Sequence, residues 1–304
     1  MTVLEQLPEA SRVAIIRLRS LGDCVLTTPA IALLKKTRPD VKIAVVVEKR
    51  FAPVFEGNPA LAQLTVPTWR EVRNWKPALC LNLHGGTRSQ WMTALSGAKW
   101  RAGFSHHSFT FAYNVRIPRA QHILDVNRTV HTAEHLASAV FALGVPIQPI
   151  PRATLFASPS PISGRYCVIH PFASAPDKTW PADRFCEVAR YLRLWNITPV
   201  FLAAPGDDAA PFASHRVVQG SLNDAKAVIS QANVFIGNDS GPAHMAAAFG
   251  VPSVVLFGNS NAAIWGPWET ESEVIVASDG LHKVSVSRVI AALERLRMFE
   301  EAHA

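Results

Sequence analysis

Three short stretches carry most of the chemistry that this sequence can do. Asp23 closes Arg17-Leu18-Arg19-Ser20-Leu21-Gly22-Asp23, directly after an apolar run. A carboxylate there can take a proton from a hydroxyl as general base, or it can simply form a turn. Lys178 lies in His170-Pro171-Phe172-Ala173-Ser174-Ala175-Pro176-Asp177-Lys178-Thr179-Trp180-Pro181. Ser174 and Lys178 suit a phosphate, with Lys178 as a point charge; the plainer reading is a solvated loop lysine. The third is Asn238-Asp239-Ser240-Gly241-Pro242-Ala243-His244, which opens a short Ala-rich helix. A helix start offers unpaired N–H groups and partial positive charge, so it suits a diphosphate. Gly241 lets the ligand approach the backbone, and Ser240 and His244 add donors. Asp239 would repel phosphate unless it meets sugar hydroxyls or backbone N–H groups, and Asp239 or Ser240 can also serve as a plain cap. A fourth stretch, Leu83-His84-Gly85-Gly86-Thr87-Arg88-Ser89, puts His84 and Arg88 where an anionic acceptor could be met, or forms an ordinary Gly turn.

These stretches all follow apolar runs, so the elements around them set their meaning. Apolar strands are expected at 13–18, 43–47 and 79–83, and again at 166–169, 200–203, 234–236, 254–257 and 274–276. Helical patterns lie between them at 28–37, 181–195, 222–231 and 242–249, with another at 131–143. Thr27 or Thr28 can cap the first of these, with Pro29 near its first position. Strands apolar on both faces and separated by helices imply parallel sheets covered on both sides, an α/β fold. At 304 residues the chain suits two domains. A Pro- and Ser-rich stretch marks their junction. The expected division is a domain at 1–150, a linker at 151–163, a second domain at 164–285 and a last helix within 286–304. Two doubly wound domains so joined place a cleft between the carboxyl ends of two sheets, where ligands bind in such folds.

Composition removes several classes of function. No apolar run approaches the length of a membrane span, and the N-terminus lacks the basic start and apolar core of a signal peptide. A cytoplasmic location is expected. The four cysteines are scattered without a Cys-x-x-Cys pair and read as reduced. No Walker A motif, no G-x-G-x-x-G after the first strand and no Asp-x-Asp occurs. His131 and His135 have the spacing to chelate a metal, but no third ligand is near in the sequence, and a plain helix face is the better reading. The net charge of +7 is uneven: residues 1–150 hold 18 Lys and Arg against 9 Asp and Glu. That favours an anionic partner or serves solubility. No nucleic-acid-binding motif stands out.

Taken together and in order, these motifs resemble glycosyltransferase family 9, the lipopolysaccharide heptosyltransferases. The resemblance covers most of the chain. It rests on R-x-x-S-L-G-D at 17–23, T-x-P-A at 27–30, L-H-G-G-T-R-S at 83–89, H-P-x-A-S with K-x-W-P at 170–181, and N-D-S-G-P-x-H-x-A-A-A-x-G-x-P at 238–252. The resemblance implies a GT-B fold, two Rossmann-like domains with parallel sheets facing a central cleft, the first for the acceptor and the second for the nucleotide-sugar. It implies that the last helix crosses back to the first domain. The implied reaction is an inverting, metal-independent transfer of heptose from ADP-heptose to the inner core of lipopolysaccharide. Asp23 would be the catalytic base. Ser174, Lys178, Asp239, Ser240, Gly241 and His244 would bind the donor, and Arg19, His84 and Arg88 would stand on the acceptor side. No metal or cofactor is implied, the nucleotide-sugar being a substrate. The anionic lipid A–inner-core acceptor implies transient contact with the inner face of the inner membrane. Cys24 departs from the aliphatic residue usual after the base. Another donor sugar, a catalytically silent nucleotide-binding protein and a sugar-nucleotide epimerase on the same fold remain alternatives.

Overall fold

The structure is a computed structural model describing residues 1–298. It divides into two compact units, the second opening at Ala157, inside the Pro- and Ser-rich stretch. Among the described residues no helix is long and apolar enough to cross a membrane.

Unit 1 runs α1 (Val3–Gln6), β1 (Arg12–Ile16), α2 (Leu21–Thr37), β2 (Lys42–Val46), β3 (Leu61–Thr65), α3 (Trp69–Asn74), β4 (Leu79–Asn82), α4 (Thr87–Ala94), β5 (Trp100–Phe104), β6 (Val115–Ile117), α5 (Ala120–Leu124) and α6 (Thr132–Leu143). Its six strands are all parallel, in the order β3-β2-β1-β4-β5-β6. Val13, Ala14, Ile15 and Ile16, whose side chains alternate between the two faces, are all wholly buried, as a sheet covered on both faces requires. α6 begins and ends as its sequence suggests. His131 Nδ1 accepts the Ala133 N–H, Glu134 accepts the His131 N–H, and Gly144 at φ +120° stops the helix. His131 is therefore a helix cap.

α2 starts a full turn and more before the expected 28–37. Ser20 and Asp23 form a reciprocal capping box, and Pro29 lies inside the helix. Thr27 and Thr28 are not caps. Pro29 has no N–H for the Val25 carbonyl, and the Thr28 hydroxyl fills that place at 2.8 Å. The same Thr28 oxygen accepts the Thr154 N–H. The local signal for a helix start at Thr28 was a breaker compensated by a hydroxyl.

Unit 2 runs β7 (Tyr166–His170), α7 (Ala182–Leu194), β8 (Thr198–Ala203), β9 (Arg216–Gln219), α8 (Leu222–Ser230), β10 (Val234–Asn238), α9 (Gly241–Phe249), β11 (Ser253–Phe257), α10 (Ala262–Trp265), β12 (Ser272–Val276) and α11 (Val286–Arg295). Its parallel order is β12-β11-β10-β7-β8-β9. Trp180 is fully buried against Phe185 and donates its indole N–H to the Val284 carbonyl at 3.0 Å. Val289, Ala292, Leu293, Leu296 and Met298 belong to the same core. The described part of the last helix is thus built into the core of unit 2; residues 299–304 of the expected crossing helix lie outside the described residues.

Both sheets are Rossmann-like. In each, strand order reverses about the first strand of the unit, between β1 and β4 and between β7 and β10. A crevice at the carboxyl ends of such strands is where ligands bind. The four motifs read from the sequence are the segments that leave these four strands.

Candidate active site

At the unit 1 reversal, Arg17 leaves β1 and is 5% exposed. It donates to the Leu83 carbonyl after β4 and, at 3.2 Å, to Asp23 Oδ1. Burial pulls the guanidinium below its usual pKa, and Asp23 pulls it back. Asp23 sits in the first turn of α2, not in the turn before it. Its Oδ2 accepts the Ser20 N–H at 3.3 Å and the Ser20 hydroxyl at 3.0 Å. One carboxylate is thereby fixed by three donors on two sides. It opens on a pocket of about 500 Å³ lined by Arg17, Arg19, Ser20, Arg50, Phe51 and His84. Cys24, beside it, is held as a neutral thiol, pushed up to about 12 by burial.

Buried Asn82 shapes the β4 end. Its side-chain oxygen accepts the N–H groups of His84 and Gly85, both at 3.0 Å, and its amide donates to Ser89. Gly85 takes φ +77°, and a Cβ there would strike the His107 ring at 2.3 Å, so only glycine fits. Burial and then Arg17 lower the His84 pKa, favouring a neutral imidazole. Its Nδ1 is buried without a protein partner among the described residues.

Arg19 and His84 thus join Asp23, as expected. Arg88 does not. It donates to the Pro67 carbonyl at 2.7 Å, lies 3.6 Å from Glu48, and lines a different pocket. Its helical position turns the side chain towards the β3 end of the sheet. Arg50 takes the place that Arg88 was expected to fill. It follows β2, where a short 3-10 turn leaves no periodic signal. The basic pair Lys49-Arg50 at the end of a strand next to β1 was the sequence clue.

At the unit 2 reversal, buried Asn238 ties β10 to the β7 loop. It accepts the Trp180 N–H at 3.0 Å and donates to the Pro171 carbonyl at 2.8 Å. This brings Lys178 Nζ to 3.8 Å from Asp239 Oδ2. Asp239 also accepts the Ser260 hydroxyl at 2.5 Å. Ser240 is the N-cap residue of α9 but makes no side-chain cap bond; its hydroxyl instead lies 3.2 Å from His170 Nδ1. Gly241 is the first residue of α9 and Pro242 the second, so the helix start keeps its unpaired donor and positive end. His244, one turn in, is buried near Trp265, ring centroids 6.2 Å apart. Ser174 is exposed on the same β7 loop. The arrangement of cation, helix start and hydroxyl suits an anion, and Asp239 supplies an acceptor for hydroxyls. Asp207 and Asp208, after β8, accept the Ala204 and Ala210 N–H groups of their own loop.

Burial pushes His107, His135 and His170 down to about 4. Unfolding exposes them to take up protons at their ordinary value near 6.5. Their contribution to stability is therefore complete above about pH 6.5 and lost as the pH falls towards 4. For His170 alone the full loss is on the order of 3 kcal/mol. Urea midpoints should fall between pH 7 and pH 5; a flat profile would remove the assignment of these rings as buried and neutral.

Comparison with known proteins follows the same lines. A family model described as "Glycosyltransferase family 9 (heptosyltransferase)" matches residues 67–290. The match spans His84, Lys178 and Asp239 to His244; Asp23 precedes it. A lipopolysaccharide heptosyltransferase 3 from Escherichia coli is 26% identical over 309 residues, covering 85% of this chain and 86% of that protein. Among solved structures, the glycosyl transferase family 9 from Veillonella parvula DSM 2008 has a TM-score of 0.85 at 23% identity, over 96% of this chain and 98% of its own. The E. coli ADP-heptose lps heptosyltransferase II has a TM-score of 0.80 at 19% identity, over 96% and 100%. At such identities these two structures establish the shared GT-B fold alone.

Proposed function

The chain belongs to glycosyltransferase family 9, and from that premise we propose that it moves a heptose from ADP-heptose to the anionic inner core of lipopolysaccharide, with inversion and without a metal. The similar protein from E. coli named for ADP-heptose supports the donor, and the heptosyltransferase 3 relative supports the acceptor class. The observation that carries the reading is Asp23, a carboxylate fixed by Arg17 and Ser20 at the mouth of a pocket rich in arginine.

In this mechanism the acceptor hydroxyl attacks the anomeric carbon of the donor. The new C–O bond forms as the bond to the diphosphate breaks, and the hydroxyl proton passes to Asp23. One displacement inverts the centre. Arg19, Arg50 and His84 meet anionic groups of the acceptor. The electron pair leaves on the diphosphate, whose charge is met by Lys178, the start of α9, Ser240 and His244. Asp239 accepts from donor sugar hydroxyls.

Melting temperatures with ADP, UDP, GDP, CDP and no nucleotide test the donor. A ligand at 100 times its dissociation constant stabilises the fold by about 2.7 kcal/mol. A shift with ADP alone is expected. A shift with UDP or GDP would retain the mechanism and replace the sugar donor. No shift with any nucleotide would favour a silent protein on this fold.

A further inference from the structure

Five large aromatic side chains are exposed among the described residues, and four of them sit together on unit 1. Trp91 meets Phe111 edge-on at 5.7 Å, and Phe111 meets Phe109 at 6.3 Å. Trp69 and Trp91 line one open pocket of about 690 Å³, together with Arg70 and Arg88. The four rings are 43–60% exposed. Single exposed rings are ordinary, but a contiguous set marks a surface that something covers.

Arg70 and Arg88 beside these rings, and the charge of the sequence segment that carries three of the four, indicate what covers them. Between Glu71 and Asp125 the chain holds seven Lys and Arg and no carboxylate side chain. Glu71 itself lines the pocket, and Glu48 lies 3.6 Å from Arg88. That pair is long, and the Arg88 side chain is 58% exposed. The Arg70 guanidinium rests over the Trp69 ring at 5.4 Å. Indole rings settle at the level of lipid head groups, and a guanidinium beside them can bind phosphate through two parallel N–H donors. Each cation near an anionic leaflet adds attraction that salt weakens.

We infer that Trp69, Trp91, Phe109 and Phe111, with Arg70 and Arg88, form the surface by which unit 1 docks on an anionic phospholipid bilayer. The inference deepens the reading of a lipid-borne acceptor and rests on it for its purpose. The occupant is the bilayer because the rings are open to solvent and not walled in, and because Arg70 and Arg88 stand beside them in a segment of chain poor in carboxylates.

The test uses the full chain and vesicles of phosphatidylglycerol with phosphatidylcholine, against phosphatidylcholine alone. Co-sedimentation should favour the anionic vesicles by about tenfold or more at low salt and weaken at high salt. The double variant Trp91→Ser with Phe111→Ser should lose about tenfold in partition, while Trp91→Phe keeps most of it. Melting temperatures of the variants should match the parent, as exposed side chains predict. Three results would overturn the inference: the parent fails to bind vesicles, the double variant binds as well as the parent, or the variant loses only self-association seen by size exclusion. Quenching of tryptophan by a soluble phosphorylated oligosaccharide, without vesicle binding, would also overturn it and make the patch a glycan subsite. Nucleotide-induced melting shifts are measured separately, so a failed vesicle experiment leaves the transferase reading standing, and the reverse holds.

Discussion

Replacing Asp23 by asparagine is expected to lower turnover by about 10³-fold, equivalent to about 4 kcal/mol of barrier. The substitution keeps the shape of the side chain. It removes the oxygen pair that holds both the Ser20 donors and the Arg17 guanidinium, and it removes the proton acceptor. Two roles overlap at this residue, and their sizes separate them. As half of a capping box, Asp23 stabilises α2 by roughly 1 kcal/mol, which would move the melting temperature by a few degrees and touch catalysis little. As the proposed base it would govern the rate. Nucleotide affinity should stay as in the parent, because the residues proposed to bind the donor are on unit 2. Asp23→Ala should behave alike in rate and melt slightly lower. Turnover retained in both variants, with only the melting temperature changed, would reduce Asp23 to a helix cap and move the base elsewhere.

The strands at the centre of each sheet were plain in the sequence because both faces are buried. Their side chains are apolar throughout, as in Val13, Ala14, Ile15 and Ile16. The strands missed were three edge strands, β3, β6 and β9, and β5. The edge strands show half-exposed patterns, with polar residues such as Gln63 and Arg216 in the run. β5 contains Gly103, required because the Tyr113 ring fills the space of a Cβ at 2.3 Å, and a glycine breaks the apolar pattern. The candidate site was legible, as a placement in the fold, where it follows a central strand. Asp23, His84, Lys178 and the Asp239–His244 residues leave β1, β4, β7 and β10, the four strands at the two reversals. What the sequence could not provide was direction. Arg88 lies two residues past the Gly pair, but the helix turn carries its guanidinium to Glu48 and Pro67. Arg50 was hidden because nothing periodic surrounds it.

Lys178→Met should lower turnover by about 10²–10³-fold and weaken nucleotide diphosphate binding by about tenfold. Lys178 Nζ and Asp239 Oδ2 lie 3.8 Å apart, a long pair that leaves the ammonium able to turn to a stronger anion. A diphosphate gains negative charge as the sugar bond breaks, so the ammonium binds the transition state more strongly than the ground state, and the rate suffers more than the affinity. Asp239→Asn provides the contrast. It removes a repelling charge from the phosphate site, so free nucleotide should bind at least as tightly. It also replaces one carboxylate oxygen by an NH2 donor and leaves a weaker, uncharged acceptor for sugar hydroxyls, so transfer should slow. The two changes share one ion pair, and the double variant should fall short of the product of the single effects. A Lys178→Met enzyme with unaltered turnover and affinity would return that side chain to the solvated loop and leave the leaving group to Ser240, His244 and the start of α9.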